Sequence, residues 1–177
     1  MIFKGPFPEV TIPELPLTQF VFARAAELND KPALIEESTS RVITYAGLAH
    51  AIKRVAASLS KIGFRQGDVF GILSPNVPEY AIIFHAVATL GGVNTPINPL
   101  YTEHEIGHQL KDANARFLIT APQFLEKTRA AAEAAGITNL FVFGEAAGWI
   151  PFDSLLKSDG VVPVVKINPK EDLVALP

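Results

Sequence analysis

The sequence predicts an α/β fold, a mainly parallel sheet with helices on both faces. Three observations carry this. Short apolar runs alternate with amphipathic helical patterns of about ten to nineteen residues, which calls for right-handed crossovers between parallel strands. The run Val69-Phe70-Gly71-Ile72-Leu73 has no polar member, as expected of a strand covered on both faces. The chain has 177 residues, 49% of them apolar. A single domain of that size buries roughly 70% of its unfolded surface, which excludes intrinsic disorder.

Residues 1–16 hold four of the fourteen prolines and are expected to run extended around the domain. The α/β subdomain covers 17–144. Leu17, Phe20, Val21, Ala25 and Leu28 recur at helical spacing, and Asn29-Asp30-Lys31-Pro32 stops that helix. Residues 33–36 and 41–43 read as strands around the turn Glu37-Ser38-Thr39-Ser40. Thr44 caps a helix with the apolar face Tyr45, Leu48, Ile52, Val55, Leu59 and Ile62, ended by Gly63. Its basic residues Lys53, Arg54 and Lys61 read as a solvated face.

After strand 69–73, Asn76 is expected to cap a buried helix through Leu90. Pro78 lies in its first turn, and the Glu79 carboxylate folds back on the cap. Gly91-Gly92 ends it, 93–97 is a strand, and Thr102 with Glu105 spells a capping box. Strand 116–120, helix 122–135 closed by Gly136, and strand 140–143 complete the alternation.

Residues 145–177 read as an irregular connection: one or two helical turns at 153–157, an edge strand at 161–165 broken by Pro163, and a short helix start at Asn168-Pro169-Lys170-Glu171. Leu173-Val174-Ala175-Leu176 has the composition of an inner strand with no partner in the chain. It is expected to fray or to pair with another copy, giving a homodimer through this C-terminal edge.

Fifteen basic against eighteen acidic residues give a net charge of -3 and no electrostatic footprint for nucleic acid. The absence of cysteine excludes disulfides, thiolate nucleophiles and Cys-ligated metals. Prolines break up the first eight residues, which disfavours a signal peptide. The apolar stretch 81–93 contains His85 and Thr89 and falls short of a membrane span.

The sharpest chemical motif is His104-Glu105-Ile106-Gly107-His108, which matches the zinc-binding pattern H-E-x-x-H. The preferred reading is two helix-surface histidines, because Lys111 and Asn114 stand where the extended motif has glycine and histidine, and nothing marks Glu126 or Glu133 as a third ligand. His50 and His85 read as satisfied or partly buried structural histidines. Ser74 reads as a turn serine, since Gly71-Ile72-Leu73-Ser74-Pro75 lacks the second glycine of a nucleophile elbow. Neither G-x-G-x-x-G nor G-x-x-x-x-G-K-[ST] occurs. The residues themselves assign no catalytic group, no cofactor contact and no metal ligand.

The runs 43–48, 67–80 and 90–101 resemble the first blocks of the adenylate-forming superfamily of acyl-CoA synthetases, luciferases and peptide-synthetase adenylation domains. Asn98-Pro99, residues 102–106 and Asp112-Ala113-Asn114-Ala115-Arg116 are most similar to its 4-coumarate:CoA ligase and acyl-CoA synthetase branch. The similarity runs from about Leu17 to Pro177. It implies the N-terminal part of an ATP-dependent, AMP-forming acid:CoA ligase, cut before the Ser/Thr/Gly-rich phosphate-binding loop. A small carboxylic acid would be the substrate, ATP, CoA and Mg would be needed by the parent enzyme, and the location would be cytoplasmic. The matched motifs serve the fold: Thr44 as a cap, Gly91 and Gly92 as a helix stop, Pro96 and Pro99 as shapers of a loop. The fragment alone is expected to be inactive. Two rival readings are a self-contained flavodoxin-like binding domain and, behind it, a zinc hydrolase using His104, Glu105 and His108.

Overall fold

The computed structural model describes residues 5–6 and 11–177. The opening segment therefore lies partly outside the described residues, and 11–16 carry no helix or strand. In chain order the elements are α1 (Leu17–Val21), α2 (Ala25–Leu28), β1 (Pro32–Glu36), β2 (Arg41–Thr44), α3 (Tyr45–Lys61), β3 (Val69–Leu73) and α4 (Pro78–Thr89). They continue with β4 (Val93–Pro96), α5 (Glu103–Asp112), β5 (Ala115–Thr120), α6 (Leu125–Ala135), β6 (Asn139–Val142), β7 (Ile150–Pro151) and α7 (Phe152–Leu155). A 3-10 turn, Pro122–Phe124, leads into α6.

β1 and β2 form a separate antiparallel hairpin. The other five strands make one all-parallel sheet in the order β4-β3-β5-β6-β7. Numbered within the sheet alone, that order is 2-1-3-4-5, a doubly wound arrangement. From β3 the chain steps outward to β4 through α4. It then returns past β3 to β5 through α5 and on to β6 through α6. Right-handed crossovers in opposite directions must lie on opposite faces, and they do.

One face of the sheet presents Phe70, Ile72, Phe117, Ile119 and Phe141 to α3, α4 and α7. The other presents Val69, Leu73 and Leu118 to Ile106 and Leu110 of α5 and to Ala131 and Ala132 of α6. Period-two alternation along buried strands produces both cores. The first is aromatic at its centre: Phe70 stacks on Phe117 with ring centroids 6.0 Å apart, and Phe64 meets Phe117 edge-on at 5.0 Å. Burying each ring contributes about 1.5–3 kcal/mol. Gly71 lets α5 approach the sheet, because a Cβ there would lie 2.9 Å from both Leu110 Cδ2 and Leu118 Cδ1. β3 is buried along its whole length, and no residue of α4 is exposed.

Several local expectations are corrected. The first helix is two short ones, broken at 22–24 so that Phe22 turns inward and meets His85 edge-on at 5.2 Å. Ile62, expected on the buried face of α3, is 44% exposed, because the chain turns away there into Gly63 at φ 97°. Two members of its basic face are tied down: Arg54 Nε donates to Ser158 O at 2.9 Å, and Lys61 Nζ to Asp159 Oδ1 at 3.0 Å. The α4 N-cap is Val77, not Asn76, and no side chain caps it. The Glu79 carboxylate instead takes the Arg41 guanidinium in two bonds of 2.6 and 2.9 Å.

The irregular stretch differs more. β7 pairs in parallel with β6 and was not legible in the sequence. Residues 161–165 are not a strand. Pro163 removes a donor, and the segment lies across the helical layer with Val162 and Val165 packed on the core while Val161 and Val164 face outward. Asn168-Pro169-Lys170-Glu171 makes one turn and no helix: Asn168 O accepts from Glu171 N (3.1 Å) and Asp172 N (2.8 Å), and the Asp172 carboxylate accepts the Asn168 N–H at 2.8 Å. Residues 173–176 are not without a partner. Asn94 N donates to Val174 O (3.0 Å) and Leu176 N to Asn94 O (2.8 Å), a parallel bridge that lays the segment along the outer edge of β4. This contact removes the reason for pairing through a second copy.

Candidate functional site

In a doubly wound sheet the ligand crevice opens at the carboxyl ends of the strands, where the direction of winding reverses. Here that point lies between β3 and β5. It is bordered by Ser74-Pro75-Asn76 after β3, by Ala121 and Pro122 after β5, and by 97–101 after β4.

The rim is tightly held. Leu73 O accepts from Thr120 Oγ1 at 3.1 Å and from Ala121 N at 3.3 Å, which ties the ends of β3 and β5 together. Thr120 and Thr128 share a buried hydroxyl contact of 3.0 Å that anchors α6 beneath. On the β4 side Lys127 Nζ donates to Pro99 O at 2.5 Å and to Tyr101 O at 3.0 Å, and sits 4.8 Å from the Phe124 ring centroid. The loop is thereby fixed with Leu100 89% exposed. Gln109 Nε2 bonds Thr95 Oγ1 (2.8 Å) and Pro96 O (3.0 Å), seating α5 on β4. Among the described residues the rim holds polar groups that bond its own backbone, and it pairs no nucleophile with a base.

Beside the rim, between the β1-β2 hairpin and the start of α4, is an open cavity of about 530 Å³. Its walls include Leu34, Glu36, Glu37, Ser38, Asn76 and Tyr80. Burial pushes the Tyr80 phenol up from its ordinary value. The Arg41 guanidinium is held charged, first by its hydrogen bonds to Glu79, so it is already neutralised by carboxylates. The wall carries two acids and no basic side chain, and one of the acids, Glu36, is itself engaged by Arg41 and Thr39, so the cavity does not attract phosphate.

The residues singled out in the sequence do not converge. His104 and His108 are exposed on α5 and line a shallow groove of about 270 Å³ with Lys111 and Ala134. The Glu105 carboxylate does not face them: it accepts from Thr102 N and Thr102 Oγ1, both at 2.8 Å, in a full capping box. The backbone bond from Thr102 lowers its pKa, the opposite of what a general base at neutral pH needs. Glu126 and Glu133 are exposed on α6, and no three metal-ligating side chains cluster among the described residues.

Ser74 is buried, and its Oγ donates to Pro75 O at 2.9 Å, a turn serine. His50 is exposed, contrary to its expected partial burial. His85 is half-buried, with Thr18 Oγ1 3.0 Å from its Nδ1 and with Phe22 and Phe84 edge-on. The polar contacts that shape the rim and the hairpin, through Arg41, Glu79, Asn94, Gln109 and Lys127, were missed by sequence reasoning. Most join residues far apart in the chain, and no local spacing marks them.

No helix among the described residues is long and apolar enough to cross a membrane. The sequence model of a family described as AMP-binding enzyme matches residues 21–176. 4-Coumarate–CoA ligase 2 of Solanum tuberosum is 36% identical over 179 residues, covering 100% of this chain and 33% of its own length. 4-Coumarate:CoA ligase 1 of Petunia hybrida is 35% identical, with the same coverage of 100% and 33%. The chain thus spans about a third of the length of the curated relatives it matches. The crystal structure of a long-chain-fatty-acid-CoA ligase from Archaeoglobus fulgidus superposes with a TM-score of 0.86 at 25% identity, over 98% of this chain and 36% of that one. An anthranilate CoA ligase solved in complex with anthranoyl-AMP shares the fold at a TM-score of 0.83 and 21% identity, over 93% of this chain and 31% of that one.

Proposed function

The chain belongs to the AMP-binding enzyme family, and from that premise we propose that it is the N-terminal part of an ATP-dependent, AMP-forming acid:CoA ligase. One observation carries the reading: the likeness to 4-coumarate–CoA ligases extends over 100% of the chain, not over a single motif. In the proposed reaction a small carboxylic acid attacks the α-phosphate of ATP. Pyrophosphate leaves and an acyl adenylate forms. The thiol of CoA then takes the acyl group and releases AMP. Mg²⁺ would neutralise the phosphate charge.

The part played by these residues is architectural. The reaction needs charge stabilisation at the phosphates and a dry site for the mixed anhydride. The chain's own contribution is a rigid rim: Thr120 and Ala121 on Leu73 O, and Lys127 on the 99–101 carbonyls. The phosphate-holding loop is assigned to the part of the protein C-terminal to Pro177. The 177-residue chain alone is therefore assigned no adenylation activity, and a cytoplasmic site of action is assigned because ATP and CoA are held there.

Exchange of labelled pyrophosphate into ATP tests both statements. The protein expressed from its whole reading frame should exchange with at least one member of a panel of aryl and fatty acids, and the isolated chain should not rise above a blank. No exchange by the whole protein with any acid removes the ligase reading. Turnover by the isolated chain shows that the chemistry has been misplaced.

A further inference from the structure

Asn94 is the one polar residue of β4 turned toward α4, and it is 0% exposed. Its Nδ2 donates to Phe84 O at 3.2 Å and to Val174 O at 3.3 Å, while its Oδ1 is buried without a partner among the described residues. A buried amide with an unpaired acceptor is a net cost, and an apolar side chain of similar size would avoid it. Global stability is therefore a poor account of this residue.

The amide does hold something. Val174 O receives both the backbone N–H and the side-chain Nδ2 of Asn94, and Leu176 N–H returns a bond to Asn94 O. A one-residue slip would present the other set of side chains to the sheet, so doubling the bond at one carbonyl pins the register of 173–176. The bridge is parallel. Chain leaving Leu176 therefore advances in the direction of β4, toward Pro96 and the fixed 97–101 loop, and arrives at the carboxyl-end rim.

We propose that Asn94 is a positioning residue for ATP, a latch that fixes the register and direction in which the chain after 173–176 reaches the rim. The inference rests on the ligase reading and on its placement of the phosphate-holding loop. Asn94 touches no reactant and acts through the segment it docks.

The test uses the protein expressed from its whole reading frame with two variants, Asn94→Val and Leu176→Pro, the second removing the N–H that donates to Asn94 O. For Asn94→Val the unfolding midpoint should be unchanged or raised, while hydrogen exchange at the Leu176 amide speeds up by about tenfold or more. In both variants KM for ATP should rise by about fivefold or more, with kcat and KM for the acid within about twofold of wild type. Unchanged exchange at Leu176 overturns the latch. Loosened exchange with an unmoved KM for ATP overturns the positioning role. So does a fall in kcat that accompanies a lowered midpoint, since that is what a merely structural residue would give. A wild-type protein that performs no ATP-dependent exchange refutes the ligase reading and the role in ATP binding with it, an outcome distinct from an active wild type whose variants keep their affinity for ATP.

Discussion

His85 shows how a single buried residue imposes a pH dependence on the fold. Its ring lies on α4 against Thr18 of α1, between Phe22 and Phe84, and this burial holds the imidazole below its ordinary pKa. Among the described residues no carboxylate pairs with it, so nothing on the neighbouring helices rewards a proton there. The unfolded chain protonates first, at about 6.5, and so binds more protons than the folded one below that value. Stability should therefore rise with pH through the window below about 6.5, and fall as the solution is acidified toward the folded pKa. Urea unfolding midpoints between pH 5 and 7.5 should drop on the acid side for the wild type, and His85→Leu should flatten that slope. An equal slope in the variant would show that another group carries it.

At the scale of elements, the hairpin and α4 are joined by a contact that replaced an expected local one. Glu79 was expected to serve its own helix terminus. With Val77 as N-cap and Pro78 at the first position, one N–H is already absent, and the carboxylate is free to meet Arg41 from β2 in a bidentate pair. The Glu79 side chain is 19% exposed against 44% for Arg41, so solvent screens the pair on one side. Arg41→Ala should cost about 1 kcal/mol at low salt and less at high salt. Chemical denaturation at two ionic strengths measures it, and a salt-independent loss would mean that the guanidinium stem, not its charge, does the packing. The walls of the adjoining cavity should loosen with it, seen as faster exchange of the Leu34 and Ile35 amides.

For the molecule as a whole, residues 173–176 decide whether the β4 edge of the sheet is bare. Laid against β4, they cover the donors and acceptors of Asn94; without them that edge becomes a template for pairing with another chain. A chain ending at Glu171 should therefore self-associate more than one ending at Pro177, with a higher mass in light scattering at equal concentration. Equal masses, with the shorter chain fully monomeric, would show that the edge is protected by something other than this segment.

The sequence by itself determined the layers. The polar-free run at β3, the stripe Leu48, Ile52, Val55 and Leu59, and the caps at Thr44, Thr102 and Gly136 are local signals, and each appears in the structure at or within a residue or two of its expected place. Of these, Thr44, Leu48, the β3 run and Thr102 also lie in the blocks that carried the resemblance to the adenylate-forming superfamily, because spacing and order survive in sequence without knowledge of contacts. Only the tertiary structure decided the rest: the strand order, Glu79 with Arg41, Lys127 beneath the 99–101 loop, and the home of 173–176 on Asn94. Those contacts join residues brought together only after the crossovers are made. Their free energy depends on which edge is left open and which buried donor is left unpaired, and neither is written in any window of neighbouring residues.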